Sequence, residues 1–185
     1  MGGGDKPLRL LGGRPMLDHV IARLLPQCGA LAINANGAPE RFAVYGVPVV
    51  PDTIAENPGP LAGILAAMEA SPLPWIVTVP GDCPFLPLDL VARLHAAREK
   101  AGTPMACAVS GGYAHPPIAL WPRDLAPALR AAITAGERKI DRWTAQLGVA
   151  TAMWPSVPHD PFFNANTPEE LAEAEVLLLG TGISP

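Results

Sequence analysis

Short apolar segments alternate with longer helical segments along this chain, and turn residues separate them. The most strand-like segment, residues 75–79, lies between segments with helical spacing at 61–70 and 88–100. This alternation is typical of βα units arranged around a mainly parallel sheet. The sequence therefore predicts an α/β fold.

The remaining elements continue this pattern. Further helices are predicted at 16–25, near 39–45, and at 123–135, 137–147 and 168–179. Further strands are predicted at 30–33, 47–50, 105–109, 118–121 and 149–154. Gly111-Gly112 predicts a hairpin or short loop, and Thr167 is expected to cap the last helix. The chain contains no recognisable internal repeat or linker, which predicts a single domain over residues 1–185.

The composition narrows the classes of protein to which the chain can belong. It has 185 residues, of which 49% are hydrophobic, and a formal net charge of −4 at pH 7. Because proteins that bind the nucleic acid backbone usually present a basic face, we expect no nucleic acid partner. No apolar run is long enough to span a bilayer, so we expect no membrane association. The 3 cysteines lack CxxC spacing, which suits a reducing compartment, offers no zinc site and predicts a cytoplasmic location.

The chain begins with the glycine-rich sequence Gly2-Gly3-Gly4-Asp5-Lys6-Pro7. Glycine lets backbone N–H groups close on phosphate oxygens, and Lys6 supplies a positive charge for the same anion. Such loops normally follow a buried strand that fixes their position. The segment is interpreted either as part of a phosphate-binding loop or as a frayed terminus.

Polar motifs follow four apolar segments of the chain. They are Asn34-Ala35-Asn36, Asp52, Gly81-Asp82-Cys83-Pro84 and Asn164-Ala165-Asn166. Ligands of open α/β sheets bind at the carboxyl ends of strands, so we expect the four motifs to converge on one rim.

Asp82 is the strongest candidate ligand among these residues. An aspartate released from an apolar strand into a turn lies where Mg²⁺ commonly binds one or two carboxylates and substrate phosphates. The alternative is that Asp82 caps the helix that opens near Pro87. Asp52 and the asparagines are common turn residues, so each of them also has a purely structural interpretation.

The loop Gly59-Pro60-Leu61-Ala62-Gly63 directly precedes a predicted helix. Glycine and proline together let a flat ligand approach the backbone closely while the loop keeps its shape. The alternative is that these residues only start the helix.

The motifs are more specific together than singly, and in their order and spacing the chain resembles the molybdenum cofactor guanylyltransferases, the MobA family. The resemblance covers essentially the whole chain. The motifs that carry it are Gly3-Gly4-Asp5-Lys6-Pro7, Asn34-Ala35-Asn36, Pro51-Asp52, Gly59-Pro60-Leu61-Ala62-Gly63, Gly81-Asp82-Cys83-Pro84, His115-Pro116 and Asn164-Ala165-Asn166-Thr167-Pro168-Glu169-Glu170-Leu171.

The resemblance implies a Rossmann-like nucleotidyltransferase fold, a three-layer sandwich with a mostly parallel sheet. It also implies a Mg²⁺-dependent reaction in which the terminal phosphate of molybdopterin attacks the α-phosphorus of GTP and pyrophosphate leaves. Lys6 and Asp82 would be the catalytic residues, and Asp82 and Asn166 would bind the metal. The residues that would bind nucleotide are Lys6, Asn34, Asp52, Gly59, Pro60, Leu61 and Asp82.

The resemblance says less about which residues would bind molybdopterin. Its candidate contacts are His115, Arg138, Lys139 and Arg142. The three cations are also typical of a solvated helix face, and His115 also suits a buried hydrogen bond. Cys83 is expected to be a packed side chain and not a nucleophile. We expect a monomer that works with other molybdenum cofactor biosynthesis proteins.

The sequence departs from the family pattern at its N-terminal end. Family members begin with an apolar strand and a Leu-Ala-Gly-Gly stretch, and roughly eighteen such residues are missing here. That strand would be central, and its loss would leave neighbouring backbone groups unpaired. We therefore expect the working protein to have an upstream extension.

Two other functions stay open at this stage. The first is a related enzyme that uses CTP to make the cytosine dinucleotide of the same cofactor, or that transfers a nucleotide to another phosphorylated acceptor. The second is a non-catalytic module that binds or delivers molybdopterin.

Overall fold

The computed structural model describes residues 6–54 and 59–180. Within these ranges the helices are α1 (Met16–Leu24), α2 (Pro60–Ala70), α3 (Leu90–Ala101), α4 (Ala126–Thr134), α5 (Ile140–Thr144) and α6 (Pro168–Gly180). The strands are β1 (Leu10–Leu11), β2 (Arg14–Pro15), β3 (Ile33–Asn34), β4 (Val49–Val50), β5 (Trp75–Thr78), β6 (Met105–Ser110), β7 (Tyr113–Pro122) and β8 (Val149–Trp154). The predicted glycine loop at residues 2–5 lies outside the described residues.

The largest sheet of the described residues has the order β5-β7-β6-β8. Its strand β7 runs antiparallel to both β5 and β6, whereas β6 and β8 are parallel. A second, parallel pair joins β3 to β4, with Ile33 opposite Val49 and Asn34 opposite Val50. The strands β1 and β2 form a short antiparallel pair. Helices and a mixed sheet together confirm the predicted α/β class.

Strand β6 lies at the centre of the core and explains why helices cover both faces of the sheet. All its residues are buried, so alternate side chains must find apolar partners on opposite sides. Ala106 and Ala108 pack in one apolar cluster with residues of α1 and α3. Met105 and Cys107 pack in a second cluster with residues of α2, α4 and α5. The result is the three-layer arrangement that the resemblance implied.

A third, smaller cluster joins β1 and the start of α1 to α6. Leu11 of β1 and Met16 of α1 pack there against Ala165, Ala174 and Leu178. This cluster connects the first described segment to α6 and to the loop before it. It therefore fixes the position of both segments that carry candidate site residues.

Capping residues define several element boundaries. Thr167 and Glu170 form a capping box at the start of α6, because Glu170 N donates to Thr167 Oγ1 at 3.1 Å and Thr167 N donates to the Glu170 carboxylate at 2.9 Å. Gly111 and Gly112 have φ values of +55° and +84°, which favour a tight turn between β6 and β7. The predicted cap and the predicted hairpin are both confirmed.

Some predicted boundaries are wrong. The helix predicted at 137–147 is reduced to α5, because the Glu137 carboxylate accepts the N–H groups of Arg138 and Lys139 and holds that segment outside the helix. The strand predicted at 118–121 extends over all of β7, because β6 continues to pair with it. The strand predicted at 30–33 is instead the two-residue β3, which begins at Ile33 and ends at Asn34. In the described part of the chain, no helix is long and apolar enough to cross a membrane.

Candidate functional site

Asn34, Asn36 and Asp52 meet where β3 and β4 end. Asn34 Nδ2 donates to Asp52 Oδ1 at 3.0 Å, and Asn36 Nδ2 donates to Asp52 Oδ2 at 2.8 Å. Asp52 N donates in turn to Asn36 Oδ1 at 2.9 Å. The parallel pairing of β3 and β4 causes this arrangement, because it brings the two strand ends to the same edge. Both carboxylate oxygens of Asp52 thus accept from amides.

The start of α2 lies directly beside this group. Gly59 has a φ of +75° and precedes Pro60 at the first helical position. A Cβ on Gly63 would overlap the amide oxygen of Asn34 and lie 3.0 Å from its Cγ. Gly63 therefore allows the Asn34 amide to sit against the helix. The predicted loop and the predicted asparagine are neighbours in space.

Lys6, Asp82 and Asn166 belong to a second group at the end of β5. Lys6 Nζ donates to Asn166 Oδ1 at 2.9 Å. The Asp82 carbonyl accepts from Ala165 N at 3.3 Å, which ties the Asp82 turn to the loop before α6. Asn166 also accepts, through its backbone carbonyl, a bond of 3.2 Å from Arg9 Nη1. Arg9 belongs to no recognisable motif, so sequence reasoning did not select it.

Gly81 allows the first described residues to approach the Asp82 turn. A Cβ on Gly81 would lie 2.9 Å from Pro7 Cγ and 3.0 Å from Pro7 Cβ. Contacts this short do not occur between real side chains, so glycine is required for the approach. The electrostatic influence of Lys6 on Asp82 follows from this packing.

Asp82 has a perturbed carboxyl group. Burial raises its pKa, whereas its own backbone N–H and the positive charge of Lys6 lower it, and Glu170 raises it. Burial penalises the charged form, so the ionised Asp82 gains from a further cation. Carboxylates in clefts with such a shift are candidates for functional groups.

The donor set around Asp82 decides which metal it could hold. Within residues 6–54 and 59–180, no group of three or more histidines, cysteines or acidic residues is placed to hold a metal ion. A site with one carboxylate and an amide oxygen does not suit zinc, but it suits Mg²⁺, which usually shares its ligands between protein and substrate phosphates. The residues present therefore fit Mg²⁺.

The residues named above as candidate molybdopterin contacts have different surroundings in the structure. Arg138 Nη1 donates to the carbonyls of Ile133 and Glu137, both at 2.8 Å, so its guanidinium is occupied at the end of α4. Lys139 and Arg142 are exposed. His115 lines a cavity together with Cys83 and Glu170.

Cys83 lies in the turn beside Asp82 and is buried. Its Sγ lies 3.7 Å from the Phe162 carbonyl. Burial and two nearby acidic groups raise the pKa of its thiol far above neutral pH. A thiol that does not ionise is a poor nucleophile, in agreement with the predicted packing role.

Comparison with known proteins identifies the family. The family model described as a MobA-like NTP transferase domain matches residues 1–151. The chain belongs to this family. It is therefore a nucleotidyltransferase, and its fold confirms the resemblance that the sequence motifs indicated.

Curated relatives and a solved structure agree with this assignment. The transferase is 56% identical to the molybdenum cofactor guanylyltransferase of Bradyrhizobium sp. (strain ORS 278), a match that covers 96% of this chain and 86% of the relative. It is 54% identical to the guanylyltransferase of Rhodopseudomonas palustris (strain BisB5), over 97% of this chain and 88% of the relative. The crystal structure of molybdopterin-guanine dinucleotide biosynthesis protein A from Archaeoglobus fulgidus superposes with a TM-score of 0.75 at 25% identity, over 96% of this chain and 92% of that one.

Proposed function

We propose that this nucleotidyltransferase is a molybdenum cofactor guanylyltransferase that moves GMP from GTP to the terminal phosphate of molybdopterin. A phosphate oxygen of molybdopterin forms a bond to the α-phosphorus of GTP, and the bond between the α-phosphorus and the bridging oxygen to the β-phosphate breaks. The products are molybdopterin guanine dinucleotide and pyrophosphate. The observation that carries this proposal is the convergence of Lys6, Asp82 and Asn166 in a chain so similar to curated guanylyltransferases.

The nucleotide base is assigned to the group at the ends of β3 and β4. Guanine presents N–H donors on one edge, and Asp52 and Asn34 offer acceptors beside the loop Gly59-Pro60-Leu61. That loop starts α2, and its glycine lets a flat base approach the backbone.

The triphosphate is assigned to Lys6 and the Asp82 turn. Lys6 carries an ammonium group at the site, which neutralises phosphate charge and stabilises the departing pyrophosphate. Asp82 would hold Mg²⁺, with Asn166 as a second ligand once Lys6 Nζ transfers its hydrogen bond from Asn166 to a phosphate. Bound Mg²⁺ would supply further neutralisation of the negative charge that develops on the phosphates.

No covalent enzyme intermediate is needed in this reaction, because the acceptor phosphate is itself the nucleophile. The work of the protein is to hold the two substrates in line and to stabilise charge. One domain spanning residues 1–185 carries both substrates. We place this domain, as a monomer, in the cytoplasm with the other molybdenum cofactor biosynthesis proteins, and its three free cysteines suit that reducing compartment.

The test is an assay of pyrophosphate release from GTP and molybdopterin with added Mg²⁺, with the dinucleotide identified by mass. Asp82→Asn should reduce kcat by about 10²–10³-fold, the effect of removing one charge-stabilising group from an active site. Asp124→Asn changes an exposed aspartate next to α4 and serves as the matched control. Full activity of Asp82→Asn, or tight binding of molybdopterin without pyrophosphate release by the wild type, would contradict the proposal.

A further inference from the structure

A cavity of about 380 Å³ opens beside the Asp82 turn. The residues that line it include the aromatic Phe162 and Phe163 and the polar His115, Asn164 and Glu170. The imidazole of His115 and the ring of Phe162 lie with their centroids 4.9 Å apart. A cavity with aromatic walls and few polar groups suits a flat heterocyclic ligand.

Behind this cavity, His115 belongs to a hydrogen-bonded chain with Ser110 and Asp160. Ser110 Oγ lies 2.6 Å from His115 Nε2 and donates to Asp160 Oδ1 at 2.7 Å. The same oxygen of Asp160 accepts from Phe162 N at 2.9 Å. Ser110 is 1% exposed, so its hydroxyl has no water to satisfy it and depends on these two partners.

The number of protons that Ser110, His115 and Asp160 share decides which ring nitrogen of His115 carries hydrogen. A hydroxyl has one proton to donate, and Ser110 gives it to the Asp160 carboxylate. The same Asp160 oxygen also accepts from Phe162 N, so it acts as an acceptor towards both partners. Ser110 Oγ must therefore accept from His115, and His115 must carry its proton on Nε2.

Burial lowers the pKa of His115, which favours the neutral ring, so the second nitrogen, Nδ1, is a hydrogen-bond acceptor on a residue that lines the cavity. Among the described residues, none hydrogen-bonds to Nδ1. Glu170 supplies another acceptor, because both of its capping bonds, from Asn166 N and Thr167 N, use Oε2 and leave Oε1. The cavity therefore presents acceptors that can pair with N–H groups of a ligand.

We propose that Ser110 and Asp160 are positioning residues that hold His115 in the Nε2–H tautomer, so that Nδ1 accepts a hydrogen bond from the N–H-bearing edge of the pterin of the acceptor substrate. This inference rests on the proposed function for the identity of the substrate. It adds to the proposed site a histidine, His115, that determines substrate specificity, and two residues, Ser110 and Asp160, that set which of its ring nitrogens carries the proton. A pterin has the flat shape and the ring N–H and amino donors that the cavity requires.

The tautomer is measured directly by long-range ¹H–¹⁵N correlation spectra of the imidazole rings. The chain has four histidines, so His115 is assigned by its loss in His115→Asn. The wild type should show the Nε2–H pattern, and added 6-hydroxymethylpterin should shift the Nδ1 resonance. The Ser110→Ala variant should lose the single-tautomer pattern, whereas Ser156→Ala should keep it. A wild-type His115 with its proton on Nδ1 would overturn the inference.

The kinetic test separates a positioning role from a merely structural one. Ser110→Ala should raise the KM for molybdopterin by about 3- to 10-fold, the effect of one hydrogen bond, while the KM for GTP stays within about twofold. His115→Asn keeps an amide near the Nδ1 position and should retain more affinity for molybdopterin than His115→Gln, whose amide lies near the Nε2 position. Equal changes in both KM values for Ser110→Ala would contradict the inference.

The two proposals can fail separately. If pyrophosphate release from GTP is not observed but the pterin probe shifts His115 Nδ1, the guanylyltransferase proposal is wrong and the histidine inference stands. If release is observed but the probe leaves Nδ1 unchanged, the histidine inference is wrong and the enzymatic function stands.

Discussion

Gly63 offers a sharp test of how the nucleotide end of the site is built. In Gly63→Ala the new methyl group overlaps the amide oxygen of Asn34, so the amide must rotate away from α2. Rotation breaks the two bonds that Asn34 Nδ2 donates, to the Val50 carbonyl and to Asp52 Oδ1, both at 3.0 Å. Asp52 then loses one of its amide donors. The account predicts weaker GTP binding without a large loss of stability.

Opposing effects set the size of the stability change. Two lost hydrogen bonds at about 0.5–1.5 kcal/mol each destabilise the protein by about 1–3 kcal/mol. Replacing glycine by alanine within a helix stabilises it by about 1 kcal/mol. Gly63→Ala should therefore lower the free energy of unfolding by about 0–2 kcal/mol. In an Asn34→Ala background the clash is absent, so the same change should stabilise by about 1 kcal/mol.

A double-mutant cycle measured by urea unfolding isolates this coupling. Gly29→Ala is the matched control, because a Cβ there meets only Leu73 Cδ1, at an ordinary distance of 3.9 Å. The KM for GTP, measured in parallel, should rise for Gly63→Ala and stay unchanged for the control. The reasoning is refuted if Gly63→Ala stabilises the protein equally with and without the Asn34 amide.

Three further predictions follow; the first two concern the other end of the site, and the third concerns the cysteines. Asp82→Asn should raise Tm at neutral pH in the absence of Mg²⁺, because burial raises the pKa of the folded-state carboxyl. The difference in Tm between variant and wild type should disappear as the pH falls below about 3.8, where Asp82 is protonated in both the folded and the unfolded state. A series of Tm measurements against pH tests this. Gly81→Ala should displace Pro7 and raise the KM for GTP in steady-state assays. Iodoacetamide should modify Cys28 before the two buried cysteines, as peptide mass spectrometry would show.

Much of the site could be predicted from the sequence because it follows from one rule of topology. The carboxyl ends of parallel strands meet at one edge. Asn34 ends one of two such strands and Asp52 follows the other, and their side chains are hydrogen-bonded in the structure. Asp82 follows the most strand-like segment of the sequence, and its turn contacts the loop that carries Asn166. The nucleotide and metal roles of these residues stay predictions.

Other features depend on contacts that no local pattern encodes. Ser110 and Asp160 are fifty residues apart, and each is unremarkable in its own segment. Only the end of β6 and the loop after β8 bring them to His115. The shortened α5 has a similar cause, because a single side chain, Glu137, competes for the backbone N–H groups that would start the helix.

The choice of nucleotide tests the central claim most directly. Pyrophosphate release should be measured with molybdopterin and Mg²⁺ at equal concentrations of GTP and CTP. A site that hydrogen-bonds the guanine edge should favour GTP by at least about 100-fold in kcat/KM, because cytosine leaves its polar groups unpaired. Equal or faster release from CTP would contradict the assignment of this chain as a guanylyltransferase.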